Sequence, residues 1–167
     1  ILTGFMGVGK STVAKHLAHL LEAEKIDLDA VIVESENRTI AEIIEREGIE
    51  RFREIETENL RRVLEQDARI IALGGGAWTI AENRALIKRC SYTTVWLEST
   101  FEHCWLNIVN SKRVRPLAKN KLETQRLFDE RQKLYCLADW HFIMRAELNS
   151  YEVARQIAEE IFLLKIN

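Results

Sequence analysis

The sequence predicts an α/β fold built on a parallel sheet of five strands, and three observations point there. Apolar runs of strand length alternate along the chain with longer segments of helical period, the pattern of strands joined by crossover helices. A glycine-rich stretch, GFMGVGKST (residues 4–12), follows the first apolar run directly and opens a helical pattern. Aspartates and glycines then follow the second and third runs, at the carboxyl ends of strands, where ligands gather in such sheets. At 167 residues the chain suffices for one domain, 1–167, and is too short for two.

The first strand is Ile1 to Leu2, and part of it is expected upstream of the sequence given, because the glycine stretch begins after so few apolar residues. Lys10 to Ala23 reads as the first helix and Lys25 to Leu28 as the second strand. Helical periodicity then covers Ile40 to Glu47 and Glu50 to Gln66, and Ile70 to Leu73 is the third strand. Glu82 to Cys90 is the next helix, Thr93 to Leu97 the fourth strand and Phe101 to Asn110 the helix after it. Asn110 to Lys121 is polar and basic, lacks periodicity and holds the only proline, Pro116, so it reads as a mobile loop. Glu123 to Leu137, the strand His141 to Met144, and Tyr151 to Leu164 complete the order, with Asn149 or Ser150 as N-cap of the last helix.

Composition narrows the functional classes. Hydrophobic residues at 47% and charged residues at 30% fit a globular domain rather than a disordered one. A net charge of -2 offers no electrostatic argument for nucleic acid. No apolar run is long enough to span a membrane, so the reading is a soluble, cytoplasmic protein without a membrane partner. Cys90, Cys104 and Cys136 have no metal-like or CxxC spacing and read as reduced thiols. His16 and His19, three apart on a helix, read as a surface or packing pair rather than as metal ligands.

Gly4, Gly9, Lys10 and Ser11 satisfy GxxxxGK[ST], a loop whose backbone N–H groups converge on phosphate oxygens at a helix N-terminus. Lys10 would reach the β and γ phosphates, and Ser11 would offer its hydroxyl to Mg2+. Such a loop is silent about the acceptor. Asp27 and Asp29, two apart on an extended backbone, share one side of it and can divide the work of ordering water around Mg2+ and gripping an acceptor hydroxyl. Taken alone the pair reads equally well as solvated turn aspartates.

Arg53 and Glu56 are helical neighbours in RFREIETENL (51–60), which places an arginine fork beside a carboxylate that fixes it for a planar anion. In isolation this is a surface ion pair worth about 0 to 1 kcal/mol. Gly74, Gly75 and Gly76 follow the third strand, a run that suits close approach of a ligand to the backbone. Arg115, beside Pro116, is a lid arginine able to stabilise the transferring group, and Arg131 offers a second positive contact to an anionic acceptor.

In this order and spacing the pieces resemble shikimate kinase: GFMGVGKS (4–11), DLD (27–29), FREIE (52–56), GGGA (74–77), RPL (115–117) and ERQKLY (130–135). The resemblance spans essentially the whole chain and implies a P-loop NTPase fold similar to nucleoside monophosphate kinases. Its sheet would run 2-3-1-4-5, with a substrate-binding helical region at about 30–62 and a lid at about 110–123. It implies ATP-dependent phosphorylation of the 3-hydroxyl of shikimate, on the route to chorismate and the aromatic amino acids, by a monomer using Mg2+. By the same carry-over, Gly7, Val8, Gly9, Lys10, Ser11, Thr12 and Arg115 bind the nucleotide, and Asp29, Lys10 and Arg115 are catalytic. Arg53 and Arg131 hold the shikimate carboxylate, Asp29 and the backbone at Gly75 and Gly76 engage ring hydroxyls, and Ser11 ligates Mg2+ directly with Asp27 acting through water.

The chain departs from the family pattern at the adenine end. Ile108 stands seven residues before the lid arginine, where an arginine packing on adenine is usual, and Leu148, Asn149 and Ser150 replace a basic loop. Lys112 and Arg113 are the basic residues placed to compensate. RPLA stands for the common RPLL, and Trp78 after GGGA is expected to reshape that wall of the site. Two other readings compete: a kinase for another hydroxylated acid such as gluconate, and a nucleotide-binding module without catalysis.

Overall fold

A computed structural model describes residues 1–66, 68–111, 114–145 and 147–163. Strands β1 (Leu2–Thr3), β2 (Lys25–Asp27), β3 (Ile70–Ala72), β4 (Val95–Glu98) and β5 (Trp140–Ile143) form one five-stranded sheet in the order β2-β3-β1-β4-β5. Every pairing is parallel, with Leu2 opposite both Ala72 and Val95. The central strands are apolar and buried on both faces, as parallel sheets covered by helices require.

Helix α1 (Lys10–Leu20) turns Val13, Ala14 and Leu17 inward and packs on α7 (Ser150–Ile161), which answers with Val153, Ala154, Ile157 and Ala158. Asn149 caps α7 and forms a capping box with Glu152, so the asparagine reading of the cap holds. Leu164, the expected end of that helix, lies outside the described residues. Helices α4 (Ala81–Arg89), α5 (Phe101–Val109) and α6 (Lys121–Tyr135) fall where periodicity placed them, within a few residues at each end.

Two features differ from the sequence reading. Leu28 to Glu36 is a helix, α2, which periodicity did not disclose. Asp27 caps it by accepting the Asp29 N–H, and Leu28 and Ile32, four apart, are its buried face. Asp29 therefore sits in the first turn of a helix, and its proximity to Asp27 comes from capping geometry rather than from alternation along a strand. A short 3-10 turn at Ala77–Thr79 after the glycine run was also not foreseen. By contrast, the break between the two central helical segments is real: α3 (Ile40–Leu64) kinks at Gly48, whose φ of 87° and ψ of 170° leave the helical region.

Candidate active site

The loop between β1 and α1 curls over the start of the helix. Gly7 has a φ of 84°, and a side chain there would also run into the backbone carbonyl of Cys104 on α5, so glycine is required twice over. Gly9, with a φ of 100°, is the N-cap of α1 and offers no side-chain cap, which leaves the first-turn N–H groups to a ligand. Lys10 is buried, and its ammonium donates to the carbonyls of Gly4 (2.8 Å) and Phe5 (3.0 Å). Burial pushes its pKa down to about 8, against the pull of Asp29, Cys104 and Asp27, so it stays mostly charged near neutrality.

Ser11 donates its hydroxyl to Asp27 at 2.5 Å, while the other Asp27 oxygen takes the Asp29 N–H at 3.2 Å. A hydroxyl and a carboxylate side by side at the phosphate loop are hard oxygen donors suited to Mg2+. Among the described residues no group of three or more His, Cys, Asp or Glu could hold a metal alone.

On the other side of the cavity two of the charges, Glu56 and Arg131, are buried, and Arg53 and Asp29 are half-buried. Arg53 donates to Glu56 at 2.5 Å and lies 5.2 Å from the Phe52 ring centroid. Glu56 is 1% exposed, so this is no surface ion pair. Burial pushes the Glu56 carboxyl up and Arg53 pulls it back, and its Oε1 has no hydrogen-bond partner among the described residues. Arg131, buried on α6, donates to the Gly75 carbonyl at 3.0 Å, and Tyr135 one turn on donates to the same oxygen. Burial holds the Tyr135 phenol up at about 12.

The glycine run makes room for this arrangement. A methyl group at Gly76 would overlap the Arg53 guanidinium, and one at Gly74 would lie 2.5 Å from Asp29 Oδ1 and 2.8 Å from Glu56 Oε1. Asp29, Arg53, Glu56, Gly75, Gly76 and Arg131 thus converge on one space. A cavity of about 810 Å³ joins it to the loop residues Gly7 to Thr12 and reaches under Arg115, Pro116 and Leu117. Asp27 stands one hydrogen bond behind the wall, through Ser11. All the sequence-derived site residues are therefore brought together. Val8 is 1% exposed, its side chain turned into the core.

Two sequence expectations change at the cavity's edge. Trp78 is buried and does not line the cavity itself, so it acts on that wall only through its neighbours. Ile108 packs beneath Gly7 rather than facing the cavity; His103, Asn107, Met144 and Leu148 form that end, with Asn107 donating to the Gly7 carbonyl at 2.8 Å. Lys112 and Arg113 lie outside the described residues. Glu56, read as the carboxylate that fixes Arg53, lines the cavity itself, and Tyr135 supports the site from behind Gly75 without having been assigned to it. Tyr135 stands four residues after Arg131, the spacing of one helical face, which was the signal available.

Comparison with known proteins agrees with this geometry. A sequence model described as shikimate kinase matches residues 6–162. A shikimate kinase from Geobacter metallireducens is 37% identical over 162 residues, which cover 95% of this chain and 87% of that protein. The structure of a shikimate kinase from Acinetobacter baumannii, in complex with shikimate, superposes with a TM-score of 0.90 at 32% identity, covering 99% of this chain and 93% of that one. A gluconokinase from Sinorhizobium meliloti 1021 reaches a TM-score of 0.58 at 13% identity, covering 99% of this chain and 95% of that one, a likeness of fold alone.

Proposed function

The chain belongs to the shikimate kinase family, and from that premise we propose that it transfers the γ-phosphoryl group of ATP to the 3-hydroxyl of shikimate, giving shikimate 3-phosphate and ADP. One observation carries the reading: two arginines, Arg53 and Arg131, face a hydroxyl-gripping aspartate, Asp29, in the same cavity as the phosphate loop. A carboxylate between two arginine forks gains charge-assisted hydrogen bonds worth about 1.5 to 3 kcal/mol each. An acceptor with hydroxyls but no carboxylate forgoes them.

The chemistry then needs alignment and charge neutralisation more than a covalent intermediate. Arg53 and Arg131 fix the carboxylate, and the backbone at Gly75 and Gly76 with Asp29 fixes the ring hydroxyls. The substrate 3-oxygen forms its bond to the γ phosphorus as the bond from phosphorus to the β–γ bridging oxygen breaks. The hydroxyl proton passes to Asp29 late in the transfer and on to solvent, and the electron pair leaves with ADP. Lys10 turns from its two carbonyls to the β and γ phosphates, and Arg115 closes over the transferring group from the lid at about 110–123. The residues present fit Mg2+, held by Ser11 directly and Asp27 through water; when bound it neutralises phosphate charge. The substrate-binding region is about 30–62, and the enzyme acts as a monomer in the cytoplasm. Among the described residues no helix is long and apolar enough to cross a membrane.

The test is ADP release with ATP and Mg2+, measured with shikimate, quinate, gluconate or no acceptor. Strong stimulation by shikimate is expected and little by gluconate. Absence of stimulation by shikimate sinks the reading, and preference for gluconate replaces it with the sugar-acid alternative.

A further inference from the structure

Trp78 is 4% exposed and lines no part of the active-site cavity, yet its indole N–H donates to the carbonyl of Leu134 at 2.9 Å. Leu134 lies in the last turn of α6, and its carbonyl also accepts the Leu137 N–H at 3.2 Å, just past the helix end. From the same turn of α6, Arg131 and Tyr135 donate in the opposite direction, to the Gly75 carbonyl. Three hydrogen bonds thus bracket one helix end against one five-residue turn, two running toward the turn and one away from it. The turn is itself anchored: Asn83 donates to the Ala77 carbonyl at 3.0 Å, and Arg84 to the Trp78 carbonyl at 2.7 Å. Sliding or rotating α6 would break the bracket at both sides at once.

We propose that Trp78 is a positioning residue for the acceptor site: its indole fixes the end of α6 against the glycine turn and so sets where Arg131 presents its guanidinium. The proposal rests on the reading that Arg131 holds the acceptor carboxylate. Without the indole bond, the hydrogen bonds of Arg131 and Tyr135 both end on a single carbonyl, and the helix end rests otherwise on packing such as Arg131 on Phe5 and Tyr135 on Trp96. The phosphate loop meets the bracket through Met6 beside Gly75 and through the Phe5 ring, 5.8 Å from the Arg131 guanidinium, and none of the three hydrogen bonds runs to it.

The experiment is Trp78→Phe in the full chain, with KM for shikimate, KM for ATP and kcat measured separately. Loss of one hydrogen bond of about 1 kcal/mol corresponds to a rise of about fivefold in KM for shikimate, with KM for ATP and kcat within about twofold. In an Arg131→Ala background, Trp78→Phe is expected to add nothing to KM for shikimate, since the group it positions is gone. An unchanged KM for shikimate, an equal rise in KM for ATP, or a further full increase in the Arg131→Ala background overturns the proposal. If Arg131→Ala by itself leaves KM for shikimate unchanged, the carboxylate reading fails and takes this proposal with it; if it raises KM while Trp78→Phe does not, only the proposal fails. Should Trp78→Phe not fold, hydrogen exchange of the Trp78 indole proton in the unaltered chain decides: slower exchange with saturating shikimate supports the bracket, and unchanged exchange overturns it.

Discussion

The two ends of the cavity are built by different means. The phosphate end is one contiguous stretch, Gly4 to Thr12, made of backbone N–H groups, a helix N-terminus and a single buried lysine. The acceptor end draws Asp29 from α2, Arg53 and Glu56 from α3, Gly74 to Gly76 from the end of β3, and Arg131 and Tyr135 from α6. Its buried charges, Glu56 and Arg131, sit among half-buried Asp29 and Arg53, so removing Arg53 leaves Glu56 exposed to the cost of burial. The phosphate end should therefore fail by losing catalysis, and the acceptor end by losing affinity and stability together.

The largest expected effect breaks the phosphate end alone. Lys10→Met should lower kcat by about a thousandfold, as removal of a preorganised electrostatic contact does. Shikimate binding, measured by calorimetry without nucleotide, should move little, because among the described residues Lys10 hydrogen bonds to its own loop. A parallel loss of shikimate affinity would show that the two ends are not separable.

Arg53→Met tests the interlocked end. KM for shikimate should rise about 10- to 100-fold, the equivalent of one charge-assisted hydrogen bond. The melting temperature should fall as well, since Glu56, 1% exposed, loses the cation that offsets its burial. Adding Glu56→Gln should restore much of the melting temperature and none of the affinity. Recovery of neither would place the damage in packing rather than charge.

A smaller, purely steric break is Gly76→Ala, whose methyl group overlaps the Arg53 guanidinium. KM for shikimate is expected to rise about tenfold as the fork is displaced, with KM for ATP unchanged. If both constants move, the turn matters to the whole cavity and the contrast between its ends weakens.

The same contrast explains what could be read from sequence. A phosphate loop is local, so its spacing alone identifies it. The pieces of the acceptor end were each visible as residue types, but Arg53 and Glu56 looked like a surface pair, because burial of Glu56 depends on elements far away in sequence. Helix α2 stayed hidden because Val31, Ile32 and Val33 are β-branched, and its start depends on the cap that Asp27 provides. Trp78 carried no local signal: its partner Leu134 is 56 residues away.

The smallest expected effect comes from a residue remote from both ends. Asp139, just before β5, accepts the Thr94 N–H at 2.8 Å and the Thr94 hydroxyl at 2.6 Å, just before β4. Both groups lie at the amino ends of their strands, away from the ligand side of the sheet. Asp139→Ala should lower the melting temperature by about 2 to 4 °C, the effect of a net loss of about 1 kcal/mol in a chain of this size, and leave both KM values unchanged. The Thr94 hydrogen bonds hold the Asp139 carboxyl below its ordinary range. A carboxyl depressed by folding stabilises above its unfolded pKa of about 3.9 and loses that contribution as pH falls through the folded value. The gap in melting temperature between the unaltered chain and Asp139→Ala should therefore be full at neutral pH and close in acid; a gap that persists there would mean that packing, and not the ionised carboxylate, joins these two strands.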